Sequence, residues 1–103
     1  MRWADEDVRY IQTRSHRYPG ALDISLEWAH EALADPHLVE VTPYPRSGLK
    51  ASAFIGWSSG AQHVLVLIGY RDLSGELRGM NAWPASGRDL VTYQERITND
   101  HEH

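Results

Sequence analysis

The chain has 103 residues, no cysteine and a formal net charge of −4, enough length for one domain with a modest core. The missing cysteines exclude disulfides, structural Cys–zinc sites and thiol chemistry. The acidic balance argues against a protein that coats nucleic acid by charge alone, and no run approaches the ~20 apolar residues of a membrane span.

Asp5-Glu-Asp7 ahead of Val8 and Ile11 reads as a helix with acids in its first turn, where they complement the helix dipole. Tyr18-Pro19-Gly20 should end it. A second helix is expected from an N-cap at Asp23 or Ser25, with Leu26, Ala29 and Leu33 on one face and Pro36 as its stop. From His37 the period changes. Leu38 to Thr42 reads as a short strand, confined to an edge by Pro43 and Pro45.

A basic loop, Pro43 to Lys50, leads into a strand over Lys50–Trp57, and Ser58 to Gln62 makes a hairpin turn. Val64-Leu-Val-Leu-Ile68 is apolar on both faces and is the natural central strand. Arg71 to Gly75 turns the chain into Glu76–Trp83, which Pro84 ends. Ser86-Gly-Arg-Asp89 fits a capping box, followed by Leu90, Tyr93 and Ile97 at helical spacing. Residues 98–103 read as a polar, frayed tail on a domain covering 1–97. The expected fold is α+β: two N-terminal helices on a mainly antiparallel four-stranded sheet, with a short C-terminal helix.

Charge is unevenly spread. Residues 1–40 hold eight acids against four arginines, whereas 44–96 hold six bases against four acids. That division suggests an acidic helical layer behind a mildly basic sheet, though ordinary surface variation gives the same counts.

Gly56-Trp-Ser-Ser-Gly60 matches the Gly-x-Ser-x-Gly hydrolase pattern, but that motif needs strand, elbow and helix. A beta-rich run follows here, so Ser58 is expected in a turn and not as a nucleophile. The six histidines show no metal-ligand spacing, and the glycines form neither a P-loop nor a dinucleotide fingerprint. No metal or cofactor is expected. His16, between Arg14 and Arg17, stands in a cationic cluster suited to phosphate, and His63 opens the central strand.

The remaining candidates lie on the sheet. Strict alternation along the last strand puts Arg78, Met80 and Ala82 on one face and Leu77, Gly79, Asn81 and Trp83 on the other. Arg46 and Lys50 approach from the basic loop, and Tyr70 and Arg71 end the central strand. RNA cleavage without a metal needs a proton acceptor for the ribose 2′-hydroxyl, cations for the phosphorane, and flat side chains for the bases. These residue types supply that chemistry. They also fit a plainer reading, with Trp57 and Trp83 as sheet-core aromatics and Arg78 as a solvated strand residue.

The order of elements resembles the RelE-like toxins, in particular the BrnT-type toxins of bacterial toxin–antitoxin pairs. The resemblance rests on Asp23-Ile-Ser-Leu-Glu-Trp28 with the exit Asp35-Pro36, on Phe54-Ile-Gly-Trp-Ser58 followed by Val64 to Tyr70, on Leu77 to Trp83, and on Tyr93-Gln-Glu95. It covers about residues 23–96.

The resemblance implies a cytoplasmic toxin of a type II pair, a metal-independent endoribonuclease that inhibits translation. A cognate antitoxin, often itself DNA-binding, would neutralise it. A homodimer or a toxin–antitoxin hetero-oligomer is compatible with this, and no membrane is involved. Carried over, Arg78 matches the family's first strand arginine and Lys50 stands near its preceding basic residue. Lys50, Arg71 and Arg78 would hold phosphate. Tyr70 or His63 would assist proton transfer, and Arg46, Asn81, Trp83 and His16 would contact RNA. Trp83 stands where the family has its second arginine, and Arg71 where an acid is expected. Tryptophan stacks a base but carries no charge for a phosphate. A non-catalytic module of the same fold, binding a partner protein or regulating its own operon, is therefore the alternative.

Overall fold

The computed structural model describes residues 1–47 and 50–101. Helix α1 spans Asp5–Gln12, α2 Arg14–Arg17 and α3 Leu26–Leu33. The strands are β1 (Arg2–Trp3), β2 (Val39–Val41), β3 (Ser52–Ser58), β4 (His63–Arg71) and β5 (Leu77–Pro84), and α4 covers Gly87–His101. The result is an α+β fold with a five-stranded mixed sheet, ordered β1-β5-β4-β3-β2.

Three features depart from the expected outline. β1 adds a fifth, parallel strand, pairing Arg2 with Arg78 and Trp3 with Gly79. Gly79 makes this possible, because a Cβ there would stand 2.3 Å from the Trp3 ring. The first helix is interrupted at Thr13, whose backbone leaves the helical region and whose Oγ1 donates to the Arg9 carbonyl at 2.7 Å. Such a hydroxyl competes with the helix ladder. Third, α4 runs 15 residues, so Thr98 to His101 of the expected tail are helical, and residues 102 and 103 lie outside the described residues.

Of the two cap candidates, Ser25 caps α3, its Oγ accepting the Trp28 N–H at 3.2 Å. Asp23 instead takes the Ser15 N–H and hydroxyl at 2.8 and 2.9 Å, tying α2 to the α3 entry. Trp57 begins no helix; β3 and β4 pair as a hairpin from Ser52↔Gly69 to Ser58↔His63.

β4 is buried on both faces, as its unbroken apolar run requires. On one face Leu65, Leu67 and Phe54 pack with Ile11, Ile24 and Ala29 of the N-terminal layer. On the other, Val66, Ile68 and Ile55 pack with Tyr44 and with Tyr93 of α4. Fully burying each such Leu, Val or Ile contributes about 1.5–3 kcal/mol. Because α4 reaches β2, β3 and β4, this second face is covered except over β5.

Candidate nucleic-acid interface

The register of β4 against β5 slips between Ile68 and Gly69. Ile68 faces Asn81 and Gly69 faces Gly79, which leaves Met80 without a partner. Directly opposed residues in an antiparallel pair share a face. Tyr70 opposes Arg78, Ile68 opposes Asn81, and Val66 opposes Trp83, so all of these side chains share one face. Met80 packs on that side too, whereas Leu77 packs on the other. The alternation expected from sequence, with Arg78 and Trp83 on opposite faces, is thus corrected by a β-bulge.

β1 pairs only with Arg78 and Gly79, so the rest of β5 forms an edge against which α1 packs. Along that edge two recesses adjoin, sharing Tyr10, Asn81 and Trp83 as walls. The first, about 290 Å³, adds Arg14, Arg17 and Tyr18. The second, about 340 Å³, has a floor of Ile68 and Met80 and a rim of Tyr44, Arg46 and Ser47. Among the described residues no carboxylate lines either one.

The groove's cations are held by neutral groups. The Arg17 guanidinium lies 3.6 Å from the Tyr10 ring centre and donates to the Tyr10 carbonyl at 2.6 Å. Arg14 donates to the Leu22 carbonyl at 3.0 Å and stands 5.9 Å from the Tyr18 ring. Burial, then the nearby Arg17 charge, lowers its pKa. Among the described residues Arg14, Arg17 and Arg46 form no salt bridge. Asp23 acts on the Arg14 charge from beyond salt-bridge distance, and three positive charges face the groove outside any ion pair.

Tyr44 and Trp83 meet at 6.3 Å between ring centres, tilted by 48°. The Tyr44 hydroxyl donates to Asp89 of α4 at 2.7 Å. Burial, reinforced by Asp89, pushes this phenol up to about 12, so it stays protonated at neutral pH. Asp89 is thereby spent on Tyr44.

Of the residues singled out from sequence, Arg46, Asn81 and Trp83 are brought together here. His16 is exposed on α2 between the two groove arginines but lines neither recess. Lys50 is exposed just before β3 and lies outside the groove; its neighbours Gly48 and Leu49 fall outside the described residues. Of the five residues expected to share a catalytic centre, Tyr70, Arg71 and Arg78 lie together at one end of the sheet, Tyr70 opposite Arg78, and Lys50 precedes Ser52, which pairs with Gly69 at that end; His63 stands apart. His63 opens β4, its Nδ1 2.8 Å from the Ala61 carbonyl. Tyr70 and Arg71 close the same nine-residue strand, roughly 26 Å away at the usual strand rise.

Arg78 is already occupied. Its Nε lies 2.8 Å from Asp72, with Glu76 at 3.7 Å. Asp72 also accepts the Ser74 hydroxyl and the Ser74 and Glu76 N–H groups. The Ser74 hydroxyl, then Arg78, holds its carboxyl far below the usual range. Arg71 donates to the Gly75 carbonyl at 3.0 Å. These side chains build the β4–β5 turn.

Nothing in the collection of protein-family models or among curated proteins matches the chain. Geometry therefore carries the assignment.

Sequence reasoning missed Tyr10, Tyr18 and Tyr44, and it noticed Arg14 and Arg17 only as neighbours of His16. Their spacing, at positions 10, 14, 17 and 18, is that of one helix face, but the break at Thr13 is what sets Arg17 against Tyr10. Other polar clusters are structural. Ser58 is fully buried, donates to Glu31 at 2.7 Å and accepts the Ala61 N–H at 3.1 Å, fixing the β3–β4 turn. Asp35 accepts the Trp57 and His37 N–H groups and the Tyr93 hydroxyl, joining α3, β3 and α4. No group of three potential metal ligands occurs among the described residues, and no helix is long and apolar enough to cross a membrane.

Proposed function

We propose that this chain is a RelE-like toxin of a type II pair, a cytoplasmic protein that binds single-stranded RNA along the β5 groove and cleaves it without metal. The observation that carries this reading is the groove itself: three arginines that form no salt bridge among the described residues, beside four aromatic rings. Such a pairing of cations and stacking surfaces suits an unpaired strand, whose bases are free to lie on rings.

In the proposed reaction the ribose 2′-oxygen attacks the adjacent phosphorus, and the 5′-oxygen of the next nucleotide departs. A cyclic 2′,3′-phosphate remains. Arg14 and Arg17 stabilise the added negative charge of the phosphorane. The proton leaving the 2′-hydroxyl and the one reaching the 5′-oxygen pass through the groove's phenols, Tyr10 and Tyr18. Tyr44 is unsuited because its proton is committed to Asp89. A cognate antitoxin would silence the protein by covering this groove.

One observation favours the non-catalytic alternative. Arg78, the arginine the family resemblance points to, is held by Asp72 and Glu76. A module that binds RNA or a partner without cleaving would have the same groove.

Inducible expression with growth monitoring, and sequencing of RNA 5′ ends at any arrest, tests the proposal. Arrest with new discrete ends supports the nuclease. Normal growth with a folded product rejects the toxin, and arrest without new ends rejects the nuclease.

A further inference from the structure

Resting on the RNA reading above, we infer that the groove selects guanine over adenine, with Asn81 as the selecting residue. Asn81 stands at the bulge, where it lines both recesses. Its Oδ1 accepts the Ala82 N–H at 2.8 Å. A backbone N–H cannot pair with another donor, so this bond fixes which way the amide points. What Asn81 presents to the recesses is Nδ2, carrying two donors. Among the described residues none accepts from it.

An asparagine with a free amide reads adenine by using its oxygen and nitrogen together, on the 6-amino group and N7. That pairing is closed here because the oxygen is committed. The other charged groups of the groove, Arg14, Arg17 and Arg46, are donors only. A purine in the second recess, over Ile68 and Met80 and beside the Trp83 ring, therefore meets the two Asn81 donors. Guanine offers two adjacent acceptors, O6 and N7. Adenine carries an exocyclic amino group beside N7, so the same approach sets donor against donor. A polar site rejects a ligand that leaves its groups unpaired far more strongly than an apolar pocket rejects a misfit.

The test is fluorescence anisotropy with labelled hexamers of 2′-O-methyl RNA, whose attacking hydroxyl is blocked. The probes are alternating U–G, alternating U–A, all-U and all-C. The expected result is that the U–G strand binds about tenfold tighter than the U–A strand. Asn81→Asp keeps an oxygen for Ala82 and replaces the donors by an acceptor. It should weaken all four strands and remove the preference. Asn81→Ser, which also loses the paired donors, serves if the aspartate variant does not fold, as judged by circular dichroism. Equal binding of the U–G and U–A strands overturns the inference and leaves the RNA reading standing. A preference that survives in the folded variant also overturns it. Failure of every strand to bind rejects the RNA reading itself.

Discussion

Arg17 lies 3.6 Å from the centre of the Tyr10 ring while its Nη2 donates to the Tyr10 backbone carbonyl, so one residue of α1 holds the α2 cation twice. The break at Thr13 allows this. A continuous helix would carry Arg17 two turns along the axis from Tyr10; the interrupted one folds it back over the ring. Neither contact consumes the positive charge, which stays available to an anion.

Arg17→Ala should leave the fold intact and weaken binding of single-stranded RNA by about tenfold, reducing the salt slope by about 0.7. Arg14→Ala should add to the loss. Arg78→Ala should stay within about twofold of the parent, since its charge is already met by Asp72. Anisotropy titrations across a range of salt concentrations check all three. A loss at Arg78 with none at Arg17 would mean that the turn, not the groove, meets the phosphates.

Trp83→Leu keeps an apolar side chain over the second core and removes the stacking surface. RNA binding should fall by about tenfold or more, with a small change in urea midpoint. Trp83→Phe should recover most of the affinity.

Gly56 packs against the backbone of α3, and a Cβ there would stand 2.1 Å from the Ala32 carbonyl oxygen. Gly56→Ala should therefore cost about 3 kcal/mol by forcing α3 off the sheet. Gly20→Ala, with open space but a φ of +82°, should cost only about 1 kcal/mol. Urea denaturation separates the two.

Acid should destabilise the protein through carboxylates whose folded pKa values are depressed. Glu31 is lowered by the Ser58 hydroxyl and then the Gly60 N–H, and Asp72 by the Ser74 hydroxyl and then Arg78. At Asp35 burial works upward, but the Tyr93, His37 and Trp57 hydrogen bonds outweigh it. A depressed group contributes stability that is present above its unfolded pKa, about 4, and is lost as pH falls toward its folded value. Melting temperature should thus change little from these groups between pH 7 and about 5 and drop below about 4. Asp72→Asn should show a shallower acid drop; an unchanged profile would remove Asp72 as a source.

The parts of the fold set by local chemistry were legible. The apolar run of β4 announced a strand buried on both sides, Ser25 announced a helix start, and Ser58 a turn. What could not be read was relational. β1 is two residues long and has no periodicity to detect; its place depends on Trp3 meeting Gly79. The bulge at Met80 is a property of two strands at once, so alternation along β5 alone put Asn81 and Trp83 on the wrong face. The groove joins α1, α2, β5 and the loop at Tyr44, and only folding sets those segments side by side. The ion pairs of Arg78 with Asp72 and Glu76 could not be read from its strand position, because its partners lie in the adjoining turn.

Met80 has a consequence for how such a protein could change over time. The bulge makes the groove depend on the length of β5 as well as on its side chains. Removing Met80 would restore regular pairing and keep Arg78, Asn81 and Trp83 on one side, while taking away part of the floor of the second recess. Substitutions along this strand adjust the surface by degrees; loss of the bulged residue alone would leave the faces in place and open the recess instead.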